Sequence, residues 1–128
     1  FTACGGSNSV TITVQPDGNQ MAYSTKEFRV KANQEVTLIM DNTATLEVMK
    51  HNVVILNDES KVNEVGLQSI NAPGYLPDHP AIIAATPMAD AGAQSQVTFT
   101  APSEPGNYVY ICTFPGHYSM MKGVMIVE

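Results

Sequence analysis

The residues with the clearest chemical potential lie near the C-terminus, where Cys112 is followed by His117 and Met121 in the spacing C-x4-H-x3-M. A fourth candidate, His51, begins a stretch of β-branched residues far upstream. Two imidazoles and a thiolate in one plane, with a weak axial thioether, form the ligand set of a copper site used for electron transfer. The soft sulfur ligands suit Cu(I), and the thiolate also donates strongly to Cu(II). The spacing therefore predicts one type 1 copper ion held by these four residues.

Some of these assignments have rivals. Met120 directly precedes Met121 and is the first substitute for the axial thioether, whereas strand parity places Met125 in the core. His79 lies in a proline-rich segment and is expected to be a surface or hydrogen-bonded histidine. Cys112 taken alone could be a buried structural thiol. The nearby histidine and methionine favour the metal site.

Length and composition restrict the function further. The chain has 128 residues, 44% of them hydrophobic, which suits one domain with its own core. Twelve acidic and six basic residues give a formal net charge of −6, which disfavours nucleic acid and docking on anionic lipid through a basic surface. No apolar run is long enough for a membrane-spanning helix. With only three histidines, a copper enzyme with further histidine-rich centres, such as a nitrite reductase or multicopper oxidase, is disfavoured.

Three other functions would use the same residues. A cysteine hydrolase that pairs Cys112 with His117 needs an orienting third group and an open pocket, and the apolar loop offers neither. A copper storage or delivery protein shares all four ligands but lacks fast electron self-exchange. A zinc site would use methionine, a poor zinc ligand. We therefore expect an electron carrier and not an enzyme.

The elements that must position these residues are short strands. Apolar side chains alternate with polar ones in most of the predicted strands, which are 10–14, 27–30, 35–41, 49–57, 96–100, 107–112 and 123–128. A rough helical stripe predicts one short helix over 60–70, capped by Ser60. Residues 72–87 contain four prolines and predict a long surface flap. The predicted fold is an all-β Greek-key sandwich with one short helix in a flap.

The segment Cys-Thr-Phe-Pro-Gly-His at 112–117, followed by Met-Lys-Gly at 121–123, resembles the ligand loop of the cupredoxins, the blue copper family of azurin and auracyanin. His-Tyr at 117–118 is most like auracyanin, and the likeness covers residues 10–128. It implies a carrier that exchanges electrons with redox proteins such as cytochromes, and a monomer is the default state for such a diffusing carrier. It also implies a photosynthetic or respiratory chain outside the cytoplasm.

The resemblance further implies roles for residues around the ligands. In this family the asparagine after the first histidine ties two ligand loops together, which assigns that role to Asn52. Backbone N–H groups of Asn52 and Phe114 are expected to point at the Cys112 sulfur. Electrons are expected to leave through His117, where partners dock. The apolar surface around it, here called the His117 patch, consists of Phe114, Pro115, Tyr118 and Met120.

The sequence departs from azurin at three places. Lys50 replaces the glycine whose carbonyl is a second axial contact, so the approach of this carbonyl to the metal is open. Val53 takes the position of a buried tryptophan, and the chain has no tryptophan. The azurin disulfide is missing because Cys4 is the only cysteine besides Cys112.

Residues 1–9 are small and polar around Cys4, and they predict a tether ahead of the domain at 10–128. Phe-Thr-Ala-Cys-Gly-Gly resembles the end of a bacterial lipoprotein signal, in which a cysteine receives lipid. We expect a lipid anchor at Cys4 and a location in the periplasm or on the outer face of the cell membrane. The alternatives are a free thiol and a disulfide with Cys112, which would destroy the copper site.

Overall fold

The computed structural model describes residues 9–128, so Cys4 and the predicted tether up to residue 8 lie outside the described residues. Within this range, eight strands form two sheets; they are β1 (Ser9–Val14), β2 (Glu27–Val30), β3 (Glu35–Asp41), β4 (Val54–Leu56), β5 (Ile82–Ala85), β6 (Gln94–Thr100), β7 (Gly106–Ile111) and β8 (Lys122–Val127). One sheet has the order β1-β3-β6 and the other β2-β8-β7-β4-β5. β1 pairs with β3 and β2 with β8 in parallel, and the other pairs are antiparallel. The predicted all-β Greek-key sandwich is confirmed.

The core lies between the two sheets and follows the alternation of β3. Val36, Leu38 and Met40 are fully buried on one face of this strand. Leu38 pairs with Ile12 of β1 and with Val97 of β6, so an apolar stripe crosses the three-stranded sheet. Burying each such side chain contributes about 1.5–3 kcal/mol. The predicted boundaries of β3 are confirmed.

The C-terminal half of β7 is buried on both faces. Tyr110 belongs to the core between the sheets. Ile111 faces the opposite way, into a second apolar cluster that includes Val65 of the helix α1 (Val62–Ser69). The strand is therefore fixed from two sides, and it delivers the next residue, Cys112, to a buried position.

The predicted strand over 49–57 is wrong in its extent, because β4 covers only its last part. His51 makes a single antiparallel bridge with Ala89 and does not continue into a ladder. The N–H group of Val53 donates to the hydroxyl oxygen of Thr86 at 2.9 Å, in place of a strand partner. A side-chain hydrogen bond thus interrupts the backbone ladder two residues after His51.

The predicted helix starts differently from expectation. A 3₁₀ turn over Glu59–Lys61 precedes α1, and the two together span most of the predicted range. The cap is Asp58, whose carboxylate accepts a hydrogen bond from the N–H of Ser60 at 3.0 Å. The cap at Ser60 is therefore a wrong prediction, since a carboxylate two residues earlier reaches the free amide first.

The buried face of α1 also differs from the predicted stripe. Val62 and Val65 are buried as expected, but Leu67 and Ile70 are 59% and 47% exposed. The buried face continues instead through Gly66, against which an aromatic ring packs. In the part of the chain that the structure describes, no helix is long and apolar enough to cross a membrane.

The flap predicted over 72–87 contains regular structure at both ends. A 3₁₀ turn lies at Pro73–Tyr75, and β5 forms an edge strand of the five-stranded sheet. Buried His79 lies between them, with Nε2 at 2.5 Å from a Glu64 carboxylate oxygen, and its Nδ1 accepts from the N–H of Ala81 at 3.0 Å. This histidine is hydrogen-bonded, as the sequence predicts, and it connects the flap to α1.

The contact between Glu64 and His79 predicts a pH dependence of stability. The hydrogen bond from His79, reinforced by the charge of Lys61, lowers the pKa of Glu64 from its ordinary value of 4.5. A carboxylate with a lowered pKa stabilises the fold above its unfolded-state pKa, and this contribution disappears as pH falls through the folded-state value. We therefore expect the unfolding free energy of Glu64→Gln to fall less steeply with acidification, below about pH 4.5, than that of the wild type.

Urea unfolding between about pH 3 and pH 6 measures this difference. Glu59→Gln, at an exposed glutamate on the preceding turn, is the matched control. Equal slopes for Glu64→Gln and the wild type would contradict the prediction.

Candidate metal centre

The four predicted ligands meet at one end of the sandwich. Cys112 follows β7 directly, Met121 directly precedes β8, and His117 lies in the loop between them. His51 enters from the segment before β4. All four side chains are buried, and His117 retains only 4% of its exposure. The turn between two paired strands thus presents three donor groups to the fourth.

The distances among the donor atoms fit a small metal ion. The Cys112 sulfur lies 3.8 Å from Nδ1 of His51 and 3.7 Å from Nδ1 of His117. These three atoms all lie within 4.8 Å of one another. An ion about 2.3 Å from sulfur and about 2.0 Å from each nitrogen, in a trigonal plane, requires sulfur–nitrogen distances of about 3.7 Å. The protein therefore holds these donors at the separation that one ion needs.

The structure distinguishes among the methionine candidates. Met121 is fully buried in the same apolar cluster as Cys112. Its carbonyl accepts from the N–H of Cys112 at 3.3 Å, and its own N–H donates to the His117 carbonyl at 2.8 Å. Met120 is 66% exposed, and Met125 is buried within β8. The geometry favours Met121 as the thioether at the site.

The environment of Cys112 opposes a free thiolate. Burial raises the pKa of this thiol to about 11, although backbone hydrogen bonds from Asn52 and Phe114 act to lower the pKa. These are the two N–H groups that the cupredoxin resemblance assigns to the sulfur. Because the thiolate is the metal ligand, an ion that binds here displaces the thiol proton.

The two imidazoles are neutral near pH 7. Burial and the nearby charge of His117 lower the pKa of His51 to about 4, and burial lowers the pKa of His117. A neutral ring leaves one nitrogen free to bind metal. In both rings the nitrogen that faces the Cys112 sulfur is Nδ1. The sulfur and imidazole donors together are thus those of a copper site.

Asn52 joins the two segments that carry the donors. Its amide nitrogen donates to the hydroxyl oxygen of Thr113 at 2.8 Å, and its amide oxygen accepts from the N–H of Thr113 at 2.8 Å. The hydroxyl of Tyr23 donates to the Asn52 carbonyl at 2.6 Å. This arrangement agrees with the role that the resemblance implies for Asn52. Sequence reasoning missed Tyr23, which lies outside any periodic segment.

The carbonyl of Lys50 lies at the edge of the site. Its oxygen is 4.0 Å from the Cys112 sulfur, while the Lys50 ammonium pairs with Asp90 at 2.6 Å. With Lys50 in place of the azurin glycine, a backbone carbonyl still lies beside the donor atoms, and the lysine side chain points away from them toward Asp90. Val53 is fully buried in the core, at the position that the resemblance assigns to tryptophan.

The His117 patch surrounds the one ligand that retains some exposure. The ring of Phe114 lies 5.0 Å from that of His117, measured between centroids, and Tyr75 packs edge-on against Phe114 at 5.4 Å. Pro115 and Tyr118 are partly buried, and Met120 is the most exposed member. Tyr75 was missed in the sequence because the proline-rich flap carries no periodic signal.

Comparison with known proteins gives consistent results. A family model described as "Copper binding proteins, plastocyanin/azurin family" matches residues 10–128. The chain is similar to Auracyanin-A of Chloroflexus aurantiacus, with 38% identity over 128 residues that cover 96% of this chain and 77% of the relative. It is also similar to Outer membrane protein H.8 of Neisseria gonorrhoeae, with 33% identity over 117 residues that cover 87% and 63% of the two chains. The crystal structure of dithionite-reduced auracyanin from the photosynthetic bacterium Roseiflexus castenholzii matches with a TM-score of 0.84 and 44% identity, covering 92% and 96%.

Proposed function

Because this chain belongs to the plastocyanin/azurin family of copper-binding proteins, we propose that it is a blue copper electron carrier that transfers one electron at a time between redox proteins. The observation that carries the proposal is the placement of the Cys112 sulfur at 3.8 and 3.7 Å from the Nδ1 atoms of His51 and His117. Copper held by these donors supplies reversible Cu(II)/Cu(I) chemistry.

We assign the four ligands to distinct roles. His51 and His117 would provide the imidazole nitrogens, Cys112 the thiolate, and Met121 a thioether. Neutral imidazoles and a soft thioether suit Cu(I), and the thiolate also suits Cu(II). The same side chains can therefore serve both oxidation states without exchange of ligands.

The protein contributes rigidity and exclusion of water. Strands β7 and β8 fix both ends of the loop, and the paired hydrogen bonds between Asn52 and Thr113 fix the loop against the His51 segment. Burial of all four donors keeps solvent away from them. Little rearrangement is then needed when the charge of the site changes, which favours fast electron transfer.

Partners would dock on the His117 patch. Ligand His117 lies under this apolar surface, and the exposed side chain of Met120 extends it. A small, weak interface is typical of redox encounters that must form and separate rapidly. We propose cytochromes as donor and acceptor, because the relatives include an auracyanin from a photosynthetic bacterium.

We place the protein outside the cytoplasm, in the periplasm or on the outer face of the cell membrane. A relative named as an outer membrane protein supports this placement. The residues ahead of β1, which begins at Ser9, would act as a tether with acyl chains on Cys4. Mass spectrometry of protein from its native membrane tests the anchor, and an unmodified Cys4 would contradict it.

The optical spectrum of the copper-loaded, oxidised protein tests the proposed function. We expect one copper per chain, an intense visible thiolate-to-Cu(II) charge-transfer band, and reversible bleaching on one-electron reduction. Met121→Leu should alter the band and the reduction potential, because it removes the thioether sulfur. Met120→Leu is the matched control at an exposed neighbouring position and should change neither.

One bound copper without such a band would contradict the proposal. The chain would then be a sandwich domain that carries copper without shuttling electrons. Identical spectra and potentials for Met121→Leu and Met120→Leu would contradict the ligand assignment.

A further inference from the structure

The loop that carries the predicted ligands contacts α1 through a glycine. Gly66 is buried in the middle of this helix, and a Cβ atom on it would overlap the ring of Tyr118. Tyr118 directly follows His117 and packs against the apolar cluster under α1. Because Gly66 has no side chain, the surface of α1 has space at this position for the Tyr118 ring.

Two hydrogen bonds join the same helix and the turn after it to the start of the loop. The hydroxyl of Ser69, at the end of α1, lies 2.6 Å from the Gly66 carbonyl oxygen and 3.1 Å from the Thr113 carbonyl oxygen. The hydroxyl of Thr113 donates to the carbonyl of Tyr75 at 2.6 Å. Contacts at Thr113 and Tyr118 thus hold the loop on either side of Phe114.

The turn at Pro73–Tyr75, which supplies the Tyr75 carbonyl, contains unfavourable left-handed backbone conformations. Tyr75 has a φ of 58°, and Gly74 before it has a φ of 61°. A left-handed conformation costs a residue with a side chain about 1–2 kcal/mol. Contacts with the loop, including the packing of Tyr75 on Phe114, compensate for this local strain.

We propose that α1 and the turn after it position the 112–121 loop, and that Gly66 is the residue that admits the Tyr118 ring and so sets the place of His117. This inference rests on the proposed function, because it concerns the ligands of the copper site. The carbonyl of His117 accepts from the N–H groups of Met120 and Met121 at 3.1 and 2.8 Å. A displaced Tyr118 would therefore move both His117 and Met121.

Gly66 lowers the intrinsic stability of the helix, so substituting it tests its role. Glycine inside a helix is less favourable than alanine by about 1 kcal/mol. Gly66→Ala should therefore strengthen the isolated helix while it displaces the ring. If Gly66 mattered only for helix stability, Gly66→Ala would increase local order. If Gly66 positions the loop, the same substitution would decrease the order of the loop.

Amide hydrogen exchange in the metal-free protein provides the first measurement. In Gly66→Ala, exchange at Met120 and Met121 should accelerate by about tenfold or more, because local opening of the loop becomes easier. Tyr118→Ala cannot clash, yet it should accelerate the same amides because it empties the contact. Tyr118→Phe keeps the ring, and Gln68→Ala places alanine at an exposed position of the same helix, so both should behave like the wild type.

The copper-loaded protein provides the second measurement. Gly66→Ala should change the shape of the visible spectrum and lower copper affinity by about tenfold or more, as other groups that orient metal ligands do. In a Tyr118→Ala background, Gly66→Ala should have little further effect, because the two residues act through one contact.

The inference is overturned if Gly66→Ala leaves both amide exchange and spectrum unchanged, or if its effects persist undiminished in the Tyr118→Ala background. Failure of the proposed function is a separate result, since it appears as a missing visible band in the wild type. Amide exchange is read without metal, so it reports on positioning of the loop in either case.

Discussion

Cys112→Ser is expected to abolish the visible absorption of the copper-loaded protein while the fold is retained. The band requires a thiolate, and serine offers only a hydroxyl that is neutral near pH 7 and a poor donor to copper. The N–H groups of Asn52 and Phe114 that now face sulfur would still find an acceptor in the serine oxygen. Copper affinity should fall by more than about 100-fold, beyond the loss typical for groups outside the ligand set.

Absorption spectroscopy and copper titration of the purified variant measure this effect. The matched control is Cys4→Ser, which changes the other cysteine of the chain and should leave the band intact. Circular dichroism of metal-free Cys112→Ser should match that of the wild type. A band that survives in Cys112→Ser would remove this cysteine from the site.

Asn52→Ala is expected to destabilise the metal-free protein by about 3 kcal/mol. The substitution removes two hydrogen bonds with Thr113 and leaves the buried N–H of Thr113 without its acceptor. A lost hydrogen bond costs about 1 kcal/mol, and an unsatisfied buried donor costs about 1–3 kcal/mol. The same change releases the His51 segment from the 112–121 loop, so copper affinity should fall as well.

Chemical denaturation of the metal-free variants measures the first effect. Thr113→Val removes the hydroxyl, and with it the hydrogen bonds to the Asn52 amide and to the Tyr75 carbonyl, so it should also destabilise the protein. Thr113→Ser keeps both bonds and should resemble the wild type. A loss below about 1 kcal/mol for Asn52→Ala would contradict the view that this pair joins the two segments.

The candidate site could be predicted from sequence because most of it is local. Cys112, His117 and Met121 lie on one turn between paired strands, so their spacing alone limits how far apart they can be. Strands such as β3 were also predictable, since one face is buried and alternation directly reflects that burial. His51 belongs to the predicted set because a second imidazole completes the donor types of such a site, although no local pattern joins it to Cys112.

The remaining features depend on contacts between distant residues. The strand predicted over 49–57 is shorter than expected because the N–H group of Val53 donates to the hydroxyl of Thr86 and not to the backbone of a neighbouring strand. The apolar stripe predicted for α1 is wrong at Leu67, which is exposed. The buried face of the helix passes through Gly66 instead, and the ring of Tyr118 supplies the apolar surface at that position. Because glycine has no side chain, local hydrophobicity does not show that a ring from a distant part of the chain packs against it.

The separation of the donors along the chain has a consequence for the unfolded state. Three donors stay close together in sequence when the chain unfolds, whereas His51 lies 61 positions from Cys112. The unfolded chain therefore keeps a partial chelate for soft metal ions. A ligand that binds both states raises the free energy of unfolding only by the difference between its two affinities. The protein can thus hold copper tightly while copper adds less to its stability than that affinity alone would suggest.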